Sequence, residues 1–163
     1  MGSPIPDLVQ GVAETLLSHG AMLVSAESCT GGGIAAALTD LAGSSQWFER
    51  GFVTYSNLSK QEMLGVRGET LERHGAVSEA TVAEMTAGAL KHSAAQVAVA
   101  VSGIAGPGGG TVEKPVGTVC LAWQLEGAKP LVCTEHFSGD RAAVRAQTVA
   151  RALQGVLDVL NAG

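Results

Sequence analysis

Residues 97 to 101 read Val-Ala-Val-Ala-Val, a run with no polar position on either face of a two-residue period. A strand with one wet face alternates apolar and polar residues, so a strand without a polar face must be covered on both sides. The flanking segments supply those covering layers. Leu8, Val9, Val12, Ala13, Leu16 and Leu17 recur at helical spacing ahead of Gly20, which predicts an amphipathic first helix with a glycine stop. Ala21 to Ala26 reads as strand, Ile34 to Leu41 as helix, and Trp47 to Tyr55 as strand. Ser56-Asn57 caps a short helix through Lys60 to Leu64. Ser78 caps another from Glu79 to about Ser93, with the Glu79 charge in its first turn. Val116 to Trp123 and Leu131 to Phe137 pair around a turn near Glu126-Gly127, the antiparallel part of the sheet. After Ser138-Gly139-Asp140 comes a last helix with Val144, Val149, Leu153, Val156, Leu157 and Leu160 near one stripe. Helices alternating with strands predict one three-layer α/β/α domain with a mixed β-sheet over residues 7–162, preceded by a flexible stretch, 1–6.

Composition narrows the chemistry. The 163 residues suffice for one core without disulfide or metal staples. Cys29, Cys120 and Cys133 form no CxxC pair, as suits a reduced cytoplasmic protein. His19, His74, His92 and His136 are widely spaced and offer no zinc-ligand pattern, so no metal is expected. A net charge of −5 with dispersed Lys and Arg leaves no footprint for nucleic acid. No signal peptide and no apolar run of spanning length is visible, so no membrane association is expected.

Chemistry is concentrated in Ala26-Glu27-Ser28-Cys29-Thr30-Gly31-Gly32-Gly33. There two nucleophile-capable side chains precede a glycine run at a strand-to-helix turn, the place where α/β folds gather ligands. The first N–H groups of a helix lack internal partners and can bind an anion or a developing oxyanion. The same pattern is also that of an ordinary N-cap and turn. Tyr55-Ser56-Asn57-Leu58-Ser59-Lys60 sets a phenol and a lysine close together after a strand. With no histidine near these segments, a desolvated and neutral Lys60 is the best base for a serine hydroxyl, although a lone lysine is more often a surface charge. Arg141 and Arg145 share a helix face at i, i+4 and suit a phosphate; as a plain alternative they are surface charges paired with Asp140 or Glu135. A second glycine loop, Ser102 to Gly110, lacks Walker A spacing, since Lys114 precedes Pro115.

The segments AESCTGG at 26–32, GSSQWFERGFVTYSN at 43–57 with Lys60, GAVSE at 75–79, SGIAGPGGG at 102–110, KPVGTV at 114–119 and FSGDRAAVR at 137–145 together resemble the CinA C-terminal domain family. Its stand-alone members are nicotinamide-nucleotide amidases, and the likeness runs in order along nearly the whole chain. Larger members carry a further N-terminal domain resembling molybdopterin-binding domains, for which this chain is too short. The resemblance implies hydrolysis of the carboxamide of nicotinamide mononucleotide to nicotinate mononucleotide and ammonia, without metal or organic cofactor, by a homodimer.

On that reading Ser28 is the nucleophile, Lys60 its base, and Tyr55 orients Lys60 or relays a proton. Backbone N–H groups around Cys29, Thr30 and Gly31 stabilise the oxyanion. Gly32, Ser45, Asn57, Gly106, Gly108, Arg141 and Arg145 complete the substrate-binding set, with the arginines and the glycine loop on the 5′-phosphate. Ser45 competes as an alternative serine and Cys29 as an alternative nucleophile. A non-catalytic nucleotide-sensing module would keep the glycine loops and Arg141 and need neither Ser28 nor Lys60.

Overall fold

A computed structural model describes residues 4–162. Its elements in chain order are α1 (Ile5–His19), β1 (Leu23–Glu27), α2 (Gly33–Thr39), a short 3₁₀ turn (Ser44–Gln46), β2 (Phe48–Val53), α3 (Asn57–Leu64), α4 (Gly68–His74), α5 (Glu79–Lys91), β3 (Val97–Gly103), β4 (Thr118–Leu125), β5 (Leu131–His136) and α6 (Arg141–Asn161). The strands form one sheet in the order β2-β1-β3-β4-β5. β1 runs parallel to both β2 and β3, while β4 and β5 continue antiparallel. The sheet is mixed, and its two faces are covered by different helices.

The Val/Ala run explains the layering. Val97, Val99 and Val101 enter a core with α1, α2 and α6, whereas Ala98 and Ala100 face a second core with residues of α5 and the α3–α4 region. Small side chains on that second face let its helices come close. Gly88 of α5 lies so near the Leu64 carbonyl at the end of α3 that a Cβ there would collide with backbone. On the first face Gly155 of α6 lies against the Trp123 ring, whose indole N–H donates to the Ala152 carbonyl at 2.9 Å.

The boundaries hold a few surprises. Ile5 and Pro6, expected in a flexible leader, belong to the first turn of α1, where proline's missing N–H has no helical partner to lose; Met1 to Ser3 lie outside the described residues. Helix α4 was not expected, because Gly68 and three charged residues in GETLERH hide a pattern with only Thr70 and Leu71 buried. The glycine stop at Gly20 (φ 62°) and the caps at Ser56 and Ser78 are as the sequence implies. Asp140, last of the three residues expected to introduce α6, caps it by accepting from the Ala143 N–H at 2.9 Å.

Candidate active site

The site forms beyond the carboxyl ends of the parallel strands. Ser28 follows β1, and its N–H donates to the Val101 carbonyl of β3 at 3.2 Å. Alternation along β1 turns its hydroxyl toward the face covered by α3. There Ser56 and Ser59 form a reciprocal capping box that fixes the first turn of α3. Lys60, on the next turn, is buried to 1 % exposure, and its Nζ lies 3.0 Å from Ser28 Oγ.

The amine's other partners are the backbone carbonyls of Thr54, at 2.8 Å, and Tyr55, at 3.4 Å. Burial holds the Lys60 ammonium below its ordinary value of 10.5. A neutral amine has two N–H groups and one lone pair, which match two carbonyl acceptors and one hydroxyl donor. Cys29 follows Ser28 in sequence but is a poor thiolate. Burial pushes its thiol up to about 11, against a smaller opposing influence of its own backbone N–H.

Two clamps hold the turn between Ser28 and α2, neither of them expected from the sequence. The buried Glu27 carboxylate accepts from the Thr30 hydroxyl and from the N–H groups of Gly32 (3.2 Å), Ile34 (2.9 Å) and Ala35 (3.0 Å). A negative charge thus occupies the start of α2. From the opposite side Arg145 donates through Nε to the Cys29 carbonyl at 3.1 Å and through Nη2 to the Thr30 carbonyl at 3.0 Å. The signal for Glu27 was its place as the lone charge of an apolar strand, three residues before Thr30 and just ahead of a helix start. Arg145 offered none beyond its share of a helix face with Arg141.

Ser28, Cys29, Tyr55, Asn57, Lys60, Gly106, Gly108 and Arg141 line one cleft of about 280 Å³. Its remaining wall comes from Ser102 to Ala105 at the end of β3 and from Ala76 and Val77 before α5. Ser102 and the Ala76-Val77 pair were not anticipated as site residues; only the fold brings them beside Ser28. Lys114 braces this wall by donating to the His74 carbonyl at 2.8 Å. At the mouth Arg141 donates to the Gly106 carbonyl at 2.8 Å and to the Tyr55 hydroxyl at 3.1 Å.

Several expected site residues sit elsewhere or do something else. Ser45 is exposed beside the start of β2, and Phe48 pairs with Leu23 at the opposite end of β1 from Ser28. Five strand residues separate those ends, about 17 Å at roughly 3.3 Å per residue. Ser45 is therefore no competitor for Lys60. Arg145 is committed to the turn's carbonyls and lines a separate hollow beyond Arg141 instead of the Ser28 cleft. Thr30 points its hydroxyl at Glu27, and Gly32 gives its N–H to the same carboxylate. The Gly31 N–H is spent on the Ser28 carbonyl at 3.0 Å. Of the expected oxyanion donors, the N–H groups of Cys29 and Thr30 alone meet no acceptor on another described residue. Tyr55 touches Lys60 through its backbone carbonyl, while its phenol serves Arg141.

Among the described residues no group of three or more His, Cys, Asp or Glu side chains is arranged to hold a metal ion. No described helix is long and apolar enough to cross a membrane.

Comparison with known proteins agrees with this architecture. The CinA C-terminal domain matches residues 6–160. The chain belongs to that family. CinA-family relatives include proteins named nicotinamide-nucleotide amidohydrolase PncC from Escherichia coli (strain K12) and from Pseudomonas putida. The former is 56 % identical, covering 93 % of this chain and 92 % of the relative; the latter is 51 % identical, covering 96 % and 97 %. Among solved structures of the family, the competence/damage inducible protein CihA from Agrobacterium tumefaciens superposes with a TM-score of 0.93 at 47 % identity, covering 99 % of this chain and 98 % of that one. A CinA superfamily protein from Klebsiella pneumoniae gives 0.94 at 42 % identity, covering 99 % and 100 %.

Proposed function

We propose that this chain is an amidohydrolase that converts the carboxamide of nicotinamide mononucleotide to a carboxylate, releasing ammonia, with Ser28 as nucleophile and Lys60 as base. The observation that carries this reading is the buried Lys60 amine, 3.0 Å from Ser28 Oγ and otherwise hydrogen-bonded only to carbonyls. The PncC relatives' names supply the substrate class. The family resemblance brings a homodimer into the same proposal, and the cysteine pattern a cytoplasmic location.

In the first step Ser28 Oγ forms a bond to the amide carbon while its proton passes to the Lys60 lone pair. The carbonyl oxygen becomes an oxyanion held by backbone N–H groups. Collapse breaks the C–N bond, and the Lys60 ammonium gives its proton to the departing ammonia. Water then attacks the Ser28 ester, Lys60 takes the water's proton, and the same proton returns to Ser28 Oγ as the acid is released. The substrate's pyridinium charge favours the neutral form of a nearby amine, which suits lysine as base. Arg141 keeps donors free beyond its two protein bonds and, with the Gly106 to Gly109 backbone, would hold the phosphate.

The test is ammonia release from nicotinamide mononucleotide by the parent, Ser28→Ala and Lys60→Ala. An active parent with both variants folded and at least about 10³-fold slower supports the reading. An inactive parent that still binds the nucleotide would leave a binding module in its place.

A further inference from the structure

The sequence suggests Arg145 as a second phosphate ligand, but its guanidinium is engaged on the far side of the nucleophile's turn. We infer that Arg145 is a positioning residue which grips the Cys29 carbonyl so that the N–H of the same peptide group, that of Thr30, faces the reacting carbonyl as an oxyanion donor. The inference rests on the amidase reading of this site.

A trans peptide group is planar, with its C=O and N–H pointing in opposite directions. Arg145 Nε fixes the Cys29 C=O toward α6 at 3.1 Å. The Thr30 N–H on the other edge of that peptide must then point away from α6. Since α6 packs on one face of the sheet and α3 with Lys60 on the other, this direction is toward the Ser28–Lys60 side. No other described residue accepts from the Thr30 N–H, whereas Gly31, Gly32, Ile34 and Ala35 N–H groups are all engaged.

Charge adds to aim. Among the described residues Arg145 has no carboxylate partner, so its positive charge is directed at two carbonyl oxygens. A cationic donor on a carbonyl polarises the peptide and strengthens its N–H as a donor. Gly31 (φ 58°) supports the approach: its Cβ position lies 3.7 Å from Arg145 Nη2, within ordinary contact, and its backbone conformation is one that side-chain-bearing residues rarely adopt. Arg141 and Arg145 therefore divide the labour one helical turn apart. Arg141 faces the substrate's far end, and Arg145 acts on the transition state through the backbone.

Kinetics separate this role from phosphate binding and from simple stability. Ammonia release is measured for the parent, Arg145→Ala, Arg145→Lys and Arg141→Ala, with circular dichroism melts for each. Binding of nicotinamide mononucleotide is measured by calorimetry in a Ser28→Ala background. For Arg145→Ala we expect kcat to fall roughly 10- to 100-fold, as for a misplaced catalytic group, with KM and binding unchanged. Arg145→Lys should recover part of kcat, and added millimolar guanidinium should raise kcat of Arg145→Ala. The acid limb of the pH profile should stay in place, since Lys60 is untouched. A raised KM and weakened binding with kcat intact would make Arg145 a substrate ligand and overturn the inference. Unchanged kinetics, or loss of the folded signal in both Arg145 variants, would overturn it as well. A parent that releases no ammonia overturns the amidase reading first, an outcome visible before any variant is compared.

Discussion

Lys60 reaches Ser28 across 32 residues of sequence, nitrogen to oxygen 3.0 Å, and its remaining partners are carbonyl oxygens alone. No carboxylate is hydrogen-bonded to the amine to offset the burial of its charge. Its charge is costly when buried, and its lone pair has a hydroxyl to receive from.

The proton balance of Lys60 makes stability depend on pH. Because burial lowers its folded pKa below 10.5, the unfolded chain binds the extra proton in the window between the lowered value and about 10.5. Stability contributed by this group therefore rises with pH through that window and is lost as pH falls through the folded pKa. Comparing denaturant unfolding of the parent with Lys60→Met should show the parent gaining up to about 1.4 kcal/mol per pH unit relative to the variant there. A flat difference would mean that Lys60 is buried as a charge. By the same sign, kcat/KM should rise as pH climbs through the lowered pKa.

Cys29 shares the turn with Ser28 and differs in one decisive respect: Lys60 is hydrogen-bonded to the serine and not to the thiol, which burial pushes up to about 11. Cys29→Ala should keep activity within about tenfold of the parent, while Ser28→Cys should lose far more. Near-complete loss in Cys29→Ala, with an unchanged melt, would transfer the nucleophile's role to the thiol.

The Tyr55 phenol and the Gly106 carbonyl share the Arg141 guanidinium at the mouth of the cleft. Arg141→Ala should raise KM for the nucleotide by about 10- to 100-fold, the worth of a charged hydrogen bond, with a smaller change in kcat. Tyr55→Phe removes one brace of the arginine and leaves the backbone carbonyl on Lys60, so a milder rise in KM is expected. A collapse of kcat in Tyr55→Phe would return the phenol to proton transfer.

Gly88 tests how finely α3 is placed. A methyl group there meets the Leu64 carbonyl, and relief requires α5 and α3 to separate. That movement carries Lys60 with it. Gly88→Ala should cost on the order of 10²-fold in kcat, the usual result of misplacing a catalytic group by about 1 Å, in a protein that still melts cooperatively. Unaltered kcat would show that Lys60 is held by its own hydrogen bonds more firmly than by its helix.

The local features carried most of what could be read in advance. The Val/Ala strand, the helix caps at Ser56 and Ser78, and the glycine at Gly20 each report on a few neighbouring residues, and each stands as expected. The pair Ser28 and Lys60 was also legible, through residue types and their place after strands. What stayed hidden depends on where separate segments meet. Ser45 stood as a competing serine, because nothing local says that it precedes β2 while Ser28 follows β1, at opposite ends of a parallel pair. Arg145 looked like Arg141 one turn on, and only the packing of α6 beside α2 puts its guanidinium on the carbonyls of Cys29 and Thr30. Helix α4 was obscured by charge, since most of its surface faces solvent.

Glu27, seated on the first turn of α2, has a consequence for how a turnover ends. An amide hydrolase converts a neutral group into an anion at the very spot where the reaction occurred, and an open helix start beside that spot would be a trap for it. Here the protein's own carboxylate already holds the Gly32, Ile34 and Ala35 donors. On the amidase reading, an acid formed beside Ser28 finds that seat taken, which favours departure over retention.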